Sequence, residues 1–332
     1  MKLKKIILRL LIGVLAIVLL LGAFIIYTPY PASYMMKTLF EGGMAVTPEN
    51  YEEIEKLVTQ HEDIDYDSKY KQGNLDIFTP KDVDTALPVI LWVHGGAFIG
   101  GDKNDIDEYA TQISAKGYVV VNMNYQLAPG AQYPEQIEQM AEVYKFMTQN
   151  KDKYRMDLDS LFIAGDSAGA HMAAQFTMVQ TDAAYAKDVN IQPVVLKDTI
   201  KGTMLLCGPY DLEKLSDLGG GNKVLSFFLD RAAWAYLGKK NWKEDPKLEL
   251  LSITNHVSKD FPSSFITDGT TGTFTAHGLS LVDKLESLGV SVDAVFYDEA
   301  GLELPHEYQF QMDNPQSINT FNRLIEFLNN NS

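Results

Sequence analysis

Gly165-Asp166-Ser167-Ala168-Gly169 sets a serine between two glycines, after the apolar stretch Leu161-Phe162-Ile163-Ala164 and before a helix-forming run from Ala168 to Val179. A strand–turn–helix with this spacing forces the serine onto a sharp turn with its hydroxyl exposed, and small flanking residues let the backbone pass close by. The chemistry is nucleophilic: Ser167 would attack a carbonyl carbon, and the N–H of Ala168 would face the developing oxyanion. The pentapeptide alone could be an ordinary turn. A second motif, His94-Gly95-Gly96-Ala97-Phe98, also follows a buried-looking strand, Pro88 to Val93. A glycine loop there offers backbone N–H groups to an oxyanion, and one such donor is worth roughly 3 kcal/mol in hydrolases. Gly95 and Gly96 are the expected donors, together with Ala168. Two motifs, each after a buried strand and in this order, make two ordinary turns improbable.

The elements that must position these loops alternate along the chain. Strands are expected near residues 62–67, 75–79, 88–94, 118–125, 160–165, 202–207, 263–268 and 292–298. Several are continuous apolar runs, as in parallel sheets buried on both faces. Between them, Ile137, Met140, Ala141, Tyr144 and Met147 share a helical face. So do Leu279, Val282, Leu285 and Leu288, and so do Ile318, Phe321, Leu324, Ile325 and Leu328. The expected fold class is therefore α/β, a mostly parallel sheet flanked by helices, with ligands bound beyond the carboxyl ends of the strands. Residues 34–60 read as helical in two pieces. The stretch 209–260 is the longest without a clear strand and reads as an insertion over the site.

Three segments carry a resemblance: His94 to Phe98 with Gly100-Gly101-Asp102-Lys103; Asn124-Tyr125-Gln126-Leu127-Ala128-Pro129 with Pro134; and Gly165 to Gly169. The chain resembles the hormone-sensitive-lipase-like branch of the α/β-hydrolases, which includes carboxylesterases and acetylesterases, over roughly residues 65–330. The resemblance implies a triad in chain order Ser, Asp, His, acyl-ester substrates and no cofactor. Gln126 departs from the family's usual Arg, a change expected to touch local structure more than chemistry. The family places its general base in a loop after the last strand, which is where His306 stands in Pro305-His306-Glu307-Tyr308. His94 is expected to brace its loop and His171 to point into packing; His61, His256 and His277 lack motif context. The family's acid follows the penultimate strand in a Gly-x-x-Asp pattern, and that slot here falls on Gly272. Asp268 stands four residues early and is the preferred acid. Asp211 is the alternative, Asp298, Glu299 and Glu303 are local ones, and the acid's orienting task could also fall partly to a hydroxyl such as Thr271 or Thr273.

Lys2, Lys4, Lys5 and Arg9 precede an apolar run from Leu10 to Tyr27, close to the roughly 20 residues that span a bilayer. The run ends in bulky residues rather than a small-residue cleavage site, so residues 1–30 read as an uncleaved anchor, with secretion after cleavage as the alternative. Basic residues on the N-terminal side put that end in the cytoplasm and the catalytic domain outside the cell membrane. Residues 31–60 then form a linker with possible cap helices, and 61–332 the catalytic domain. The formal net charge of −16 argues against nucleic acid as a partner and gives no support to docking on anionic lipid through the folded domain. Cys207 is the single cysteine, so neither an intrachain disulfide nor a cysteine-based zinc site is available, and its apolar neighbours predict a buried thiol. No metal or cofactor is expected, and the oligomeric state is open. The leading expectation is a serine esterase acting on acetyl or short-acyl esters, on surface glycans or imported. A peptidase on the same fold and a non-catalytic scaffold that lost its acid are the competing readings.

Overall fold

The apolar run forms one helix, Lys2–Tyr27, whose large apolar side chains from Leu3 to Tyr27 are exposed. It is about 39 Å long at 1.5 Å per residue, enough to cross a hydrocarbon core. Its length and composition suit a membrane anchor and a signal sequence alike. The computed structural model describes residues 2–40, 45–219 and 223–332.

Beyond that helix the chain folds around an eight-stranded sheet: β1 (Val58–Asp65), β2 (Asn74–Pro80), β3 (Leu87–Val93), β4 (Val119–Met123), β5 (Met156–Asp166), β6 (Ile200–Leu206), β7 (Ser264–Thr267) and β8 (Val292–Val295). The order is β1-β2-β4-β3-β5-β6-β7-β8. β1, β2 and β4 pair antiparallel, and every pair from β4 to β8 runs parallel. All eight expected strands are present with shifted ends. β1 begins at Val58, so the helical reading of 34–60 stops short: its helices are Tyr30–Phe40 and Tyr51–Glu55.

Alternation along the central strands splits the core in two. Val89, Leu91 and Val93 of β3 face one hydrophobic cluster, Ile90 and Trp92 the other, because successive side chains point to opposite faces. Helices Glu135–Tyr154, Ala168–Thr181 and Thr275–Ser287 cover the first face through residues such as Met140, Phe176 and Leu285. Helices Asp107–Ser114 and Pro315–Asn331 cover the second through Tyr109, Phe321 and Leu324. Leu279 and Ile318 depart from the expected faces and are exposed. The stripe on Thr275–Ser287 is centred on Leu281, Val282 and Leu285, and at 100° per residue Leu279 falls beyond its edge. The stretch 209–260 forms short helices around one longer helix, Lys223–Leu237, and lies over the carboxyl end of the sheet. Helix Tyr30–Phe40 packs against Lys223–Leu237.

Candidate active site

The turn after β5 is as tight as its sequence demands. Ser167 has φ 50° and ψ −119°, a left-handed backbone that costs a non-glycine residue about 1–3 kcal/mol. The Ser167 amide donates to Leu206 O at 2.8 Å, tying the elbow to β6. A Cβ at Gly165 would stand 2.4 Å from the Gly169 carbonyl carbon, and one at Gly169 would stand 2.0 Å from Val93 O. Both positions therefore require glycine.

His306, on the loop after β8, meets this serine across 139 residues of sequence: its Nε2 is 2.9 Å from Ser167 Oγ. The loop is laced to the one after β7. The Thr270 and Thr271 amides donate to Leu304 O at 2.8 and 3.0 Å, and the Leu304 amide donates to Thr270 Oγ1 at 2.9 Å. Burial lowers the His306 pKa to about 4, so the imidazole is neutral at neutral pH and offers a lone pair.

The far side of the imidazole meets a threonine. Thr273 Oγ1 lies 2.8 Å from His306 Nδ1 and donates a short hydrogen bond to Asp268 Oδ1. Asp268, at the end of β7, also accepts the Gly269 amide at 2.7 Å. Its Oδ2 is buried without a partner among the described residues. Burial raises the Asp268 carboxyl to about 6, against the lowering effect of hydrogen bonds from Thr273, Cys207 and Gly269. Gly272, in the slot where an acid was looked for, has φ 65° and open space where a side chain would begin. Asp211 is engaged elsewhere: Ser252 Oγ donates to it at 3.0 Å and Lys214 Nζ lies at 2.6 Å. Asp298, Glu299 and Glu303 are exposed.

The glycine loop corrects one expectation. The Gly95 N–H donates to Asp166 Oδ2 at 2.8 Å and is therefore committed away from any oxyanion. The reason is close packing: a Cβ on Gly95 would lie 2.5 Å from that same carboxylate oxygen. The Gly96 and Ala97 amides have no acceptor among the described residues. The Ala168 amide, in the first turn of its helix, is free by helix geometry. His94 braces the loop, with Nδ1 2.8 Å from Gly95 O and its ring stacked on Tyr125 at 4.4 Å. Tyr125 donates to the His94 and Gly95 carbonyls at 3.2 and 3.1 Å. Lys103 secures the loop's far end through Asp76 at 2.7 Å, and the Lys103 amide donates to Asn124 Oδ1 at 2.8 Å. The segments His94 to Lys103 and Asn124 to Pro129 are thus interlocked. The Gln126 Oε1 accepts the Lys71 amide at 2.9 Å, a local role.

Two residues that the sequence reading left without a role complete the floor. Asp166 accepts Trp92 Nε1–H at 2.8 Å and shares a hydrogen bond with Glu307. Burial, with the Asp166 charge beside it, drives the Glu307 pKa well above the carboxylate range, so the pair retains a proton on Glu307. Glu307 Oε1 is 3.8 Å from His306 Nε2. Only its place next to His306 could have flagged it. Among the described residues, Cys207, Asp268 and His306 offer donor atoms within 4.8 Å of one another. They make a poor metal set, because burial holds the Cys207 thiol protonated and the imidazole Nδ1 faces Thr273. His171, buried with Nδ1 2.9 Å from Pro209 O, serves packing as expected, and Cys207 is buried.

Above Ser167 opens a cavity roofed by the 209–260 insertion. Its walls include Phe98, Leu229, Tyr236, Leu237, Trp242 and Phe274, and are almost wholly apolar.

A mostly parallel sheet that carries a serine elbow, a facing histidine loop and an apolar cavity at its carboxyl end defines an α/β-hydrolase. The BD-FAE family model matches residues 75–281, and the chain belongs to that family. It is 26% identical to an esterase of Gibberella moniliformis over 266 residues, 76% of this chain and 80% of that protein. It is 28% identical to an acetyl esterase of Salmonella schwarzengrund over 187 residues, 55% of this chain and 54% of that protein. The structure of Esterase B from Lactobacillus rhamnosis, inhibited by a tributyrin phosphonate, superposes with a TM-score of 0.71 at 20% identity, covering 91% of this chain and 92% of that one. The chain is a carboxylic ester hydrolase.

Proposed function

We propose that the chain hydrolyses short-acyl carboxylic esters through a covalent acyl-enzyme on Ser167. The observation that carries this reading is the 2.9 Å contact between Ser167 Oγ on a strained elbow and the neutral His306 Nε2. His306 takes the serine proton as Oγ adds to the ester carbonyl, and the carbonyl oxygen becomes the oxyanion. The amides of Gly96, Ala97 and Ala168 donate to it. His306 then returns the proton to the departing alcohol, and water, deprotonated by the same imidazole, releases the acid. Asp268 acts through Thr273: the His306 Nδ1–H donates to Thr273 Oγ1, and the Thr273 hydroxyl donates to the Asp268 carboxylate. That chain of donors fixes the tautomer with the Nε2 lone pair toward serine, the orienting task of a triad acid. The apolar cavity supports an acyl chain as the group it receives, and Esterase B of Lactobacillus rhamnosis, inhibited by a tributyrin phosphonate, supports a short one.

The helix Lys2–Tyr27 is read as a single-pass anchor with residues 61–332 outside the cell membrane and 31–60 as linker, the alternative being secretion after cleavage. The test of the chemistry is hydrolysis of p-nitrophenyl acetate and butyrate by the full chain in detergent, beside Ser167→Ala. Activity lost in the variant supports the reading; equal rates in both proteins would overturn it.

A further inference from the structure

The insertion over the active site is neutral in sum, but its charges are unevenly spread and the segment from Lys223 to Lys247 is basic. Between Lys223 and Lys247 stand Lys223, Arg231, Lys239, Lys240, Lys243 and Lys247 against Asp230, Glu244 and Asp245, in a protein of net charge −16. Asp245 is buried and paired with Lys239 at 2.9 Å, whereas Lys223, Lys240 and Lys243 are exposed. This basic segment touches the end of the apolar helix, with Lys240 Nζ 4.8 Å from the Tyr27 ring.

Apolar side chains gather at the same place. Tyr30, Tyr34 and Met35 on helix Tyr30–Phe40, and Val224 and Phe227 on the helix Lys223–Leu237 packed against it, are exposed. The Arg231 guanidinium lies over the Phe227 and Trp234 rings at 4.8 and 5.0 Å. Aromatic rings mixed with lysine and arginine beside a spanning helix match the chemistry of a membrane–water interface with anionic headgroups. The opposite face of Lys223–Leu237, through Leu229, Ala233 and Tyr236, forms a wall of the cavity above Ser167.

We propose that helices Tyr30–Phe40 and Lys223–Leu237 form one surface that rests on an anionic bilayer, so that the cavity beneath takes acyl chains of esters dissolved in the outer leaflet. The occupant is the lipid surface itself, argued from its continuity with the spanning helix and from the local sign of charge. The proposal rests on the anchor reading above and narrows the substrate class from soluble to membrane-borne esters.

The test uses the full chain in phosphatidylglycerol–phosphatidylcholine vesicles, with an environment-sensitive fluorophore on one introduced thiol; Cys207 is buried and does not compete. Labels are placed at Phe227→Cys, Leu15→Cys and Lys151→Cys. Shallow spin-labelled lipids should quench the label at 227 and leave 151 bright. A label at 227 as bright as that at 151 overturns the docking surface. Quenching at 15 by lipids spin-labelled deep in the acyl chain would in that case show that the anchor reading stands, and its absence would show that both fail. In the second measurement, Lys223→Glu with Lys240→Glu and Lys243→Glu should slow hydrolysis of a bilayer-dissolved ester by about tenfold, with p-nitrophenyl acetate hydrolysis in detergent unchanged. Equal rates on the vesicle substrate would overturn the membrane-borne class.

Discussion

The two sides of His306 are built differently. On the serine side, one contact of 2.9 Å joins a strained elbow to the imidazole, and every part comes from a motif or a loop end. On the acid side, Asp268 reaches His306 through the Thr273 hydroxyl, and both sit in a loop with a glycine at the slot where the family keeps its acid. The elbow is dictated by sterics at adjacent residues, whereas the relay needs only a hydroxyl and a carboxylate in line. Nucleophile geometry is therefore local and rigid, while the acid can be supplied from several positions.

Mutations should separate the two sides. Ser167→Ala and His306→Ala should each lower kcat by about 10⁶, and Asp268→Asn by about 10⁴, by the scale of subtilisin's triad. A turnover assay on p-nitrophenyl butyrate reads all three. Thr273→Val should come within about tenfold of Asp268→Asn, because both cut the same relay, and the double variant should be far from additive. Thr273→Ser, which keeps the hydroxyl, should stay near wild type. A harmless Thr273→Val would mean that Asp268 reaches the ring directly. Asp166→Asn has a single acceptor oxygen for the Trp92 and Gly95 donors, so the glycine loop should loosen and kcat/KM fall by about 10². Glu307→Gln preserves a donor toward Asp166 and should cost less.

The smallest effects concern pH. Ionised Asp268 is the stronger acceptor for the Thr273 hydroxyl and supplies the charge that favours the imidazolium, and its pKa is raised to about 6, whereas His306 stays neutral down to about 4. The kcat/KM profile should therefore fall on the acid side near pH 6 in the wild type, and Asp268→Asn should remove that limb. Stability should run the opposite way. A raised carboxyl pKa stabilises the fold below its unfolded value and loses that contribution as pH rises through about 6. Thermal melts of Asp268→Asn should show a higher Tm than wild type at pH 7 and a smaller difference at pH 4.

Legibility in the sequence followed the same divide. β3 and β5 were readable because a strand buried on both faces is a continuous apolar run, and the two glycine motifs mark where their loops begin. Ser167 is proposed from the second of those motifs, and His306 from the family's placement of its base after the last strand. Gly95 departs from its expected role because sequence cannot say which amide of a glycine run is bent toward Asp166. The acid was ambiguous because Asp268 lies before the expected slot, and the bridging Thr273 is a surface-type residue with no pattern of its own. Glu307 carries no signal beyond its place next to His306, since its proton is held by burial beside Asp166, a property of the folded state alone. Leu279 and Ile318 show the same limit, as periodicity places a stripe without locating its edge.

The central claim is that Ser167 carries the acyl group, activated by His306. Its most direct test is the intact mass of the full chain after incubation with a p-nitrophenyl alkylphosphonate, followed by peptide mapping. One phosphonyl adduct is expected, on Ser167, formed in the wild type and absent from Ser167→Ala. An unmodified wild-type chain, or an adduct mapped to any other residue, would contradict it.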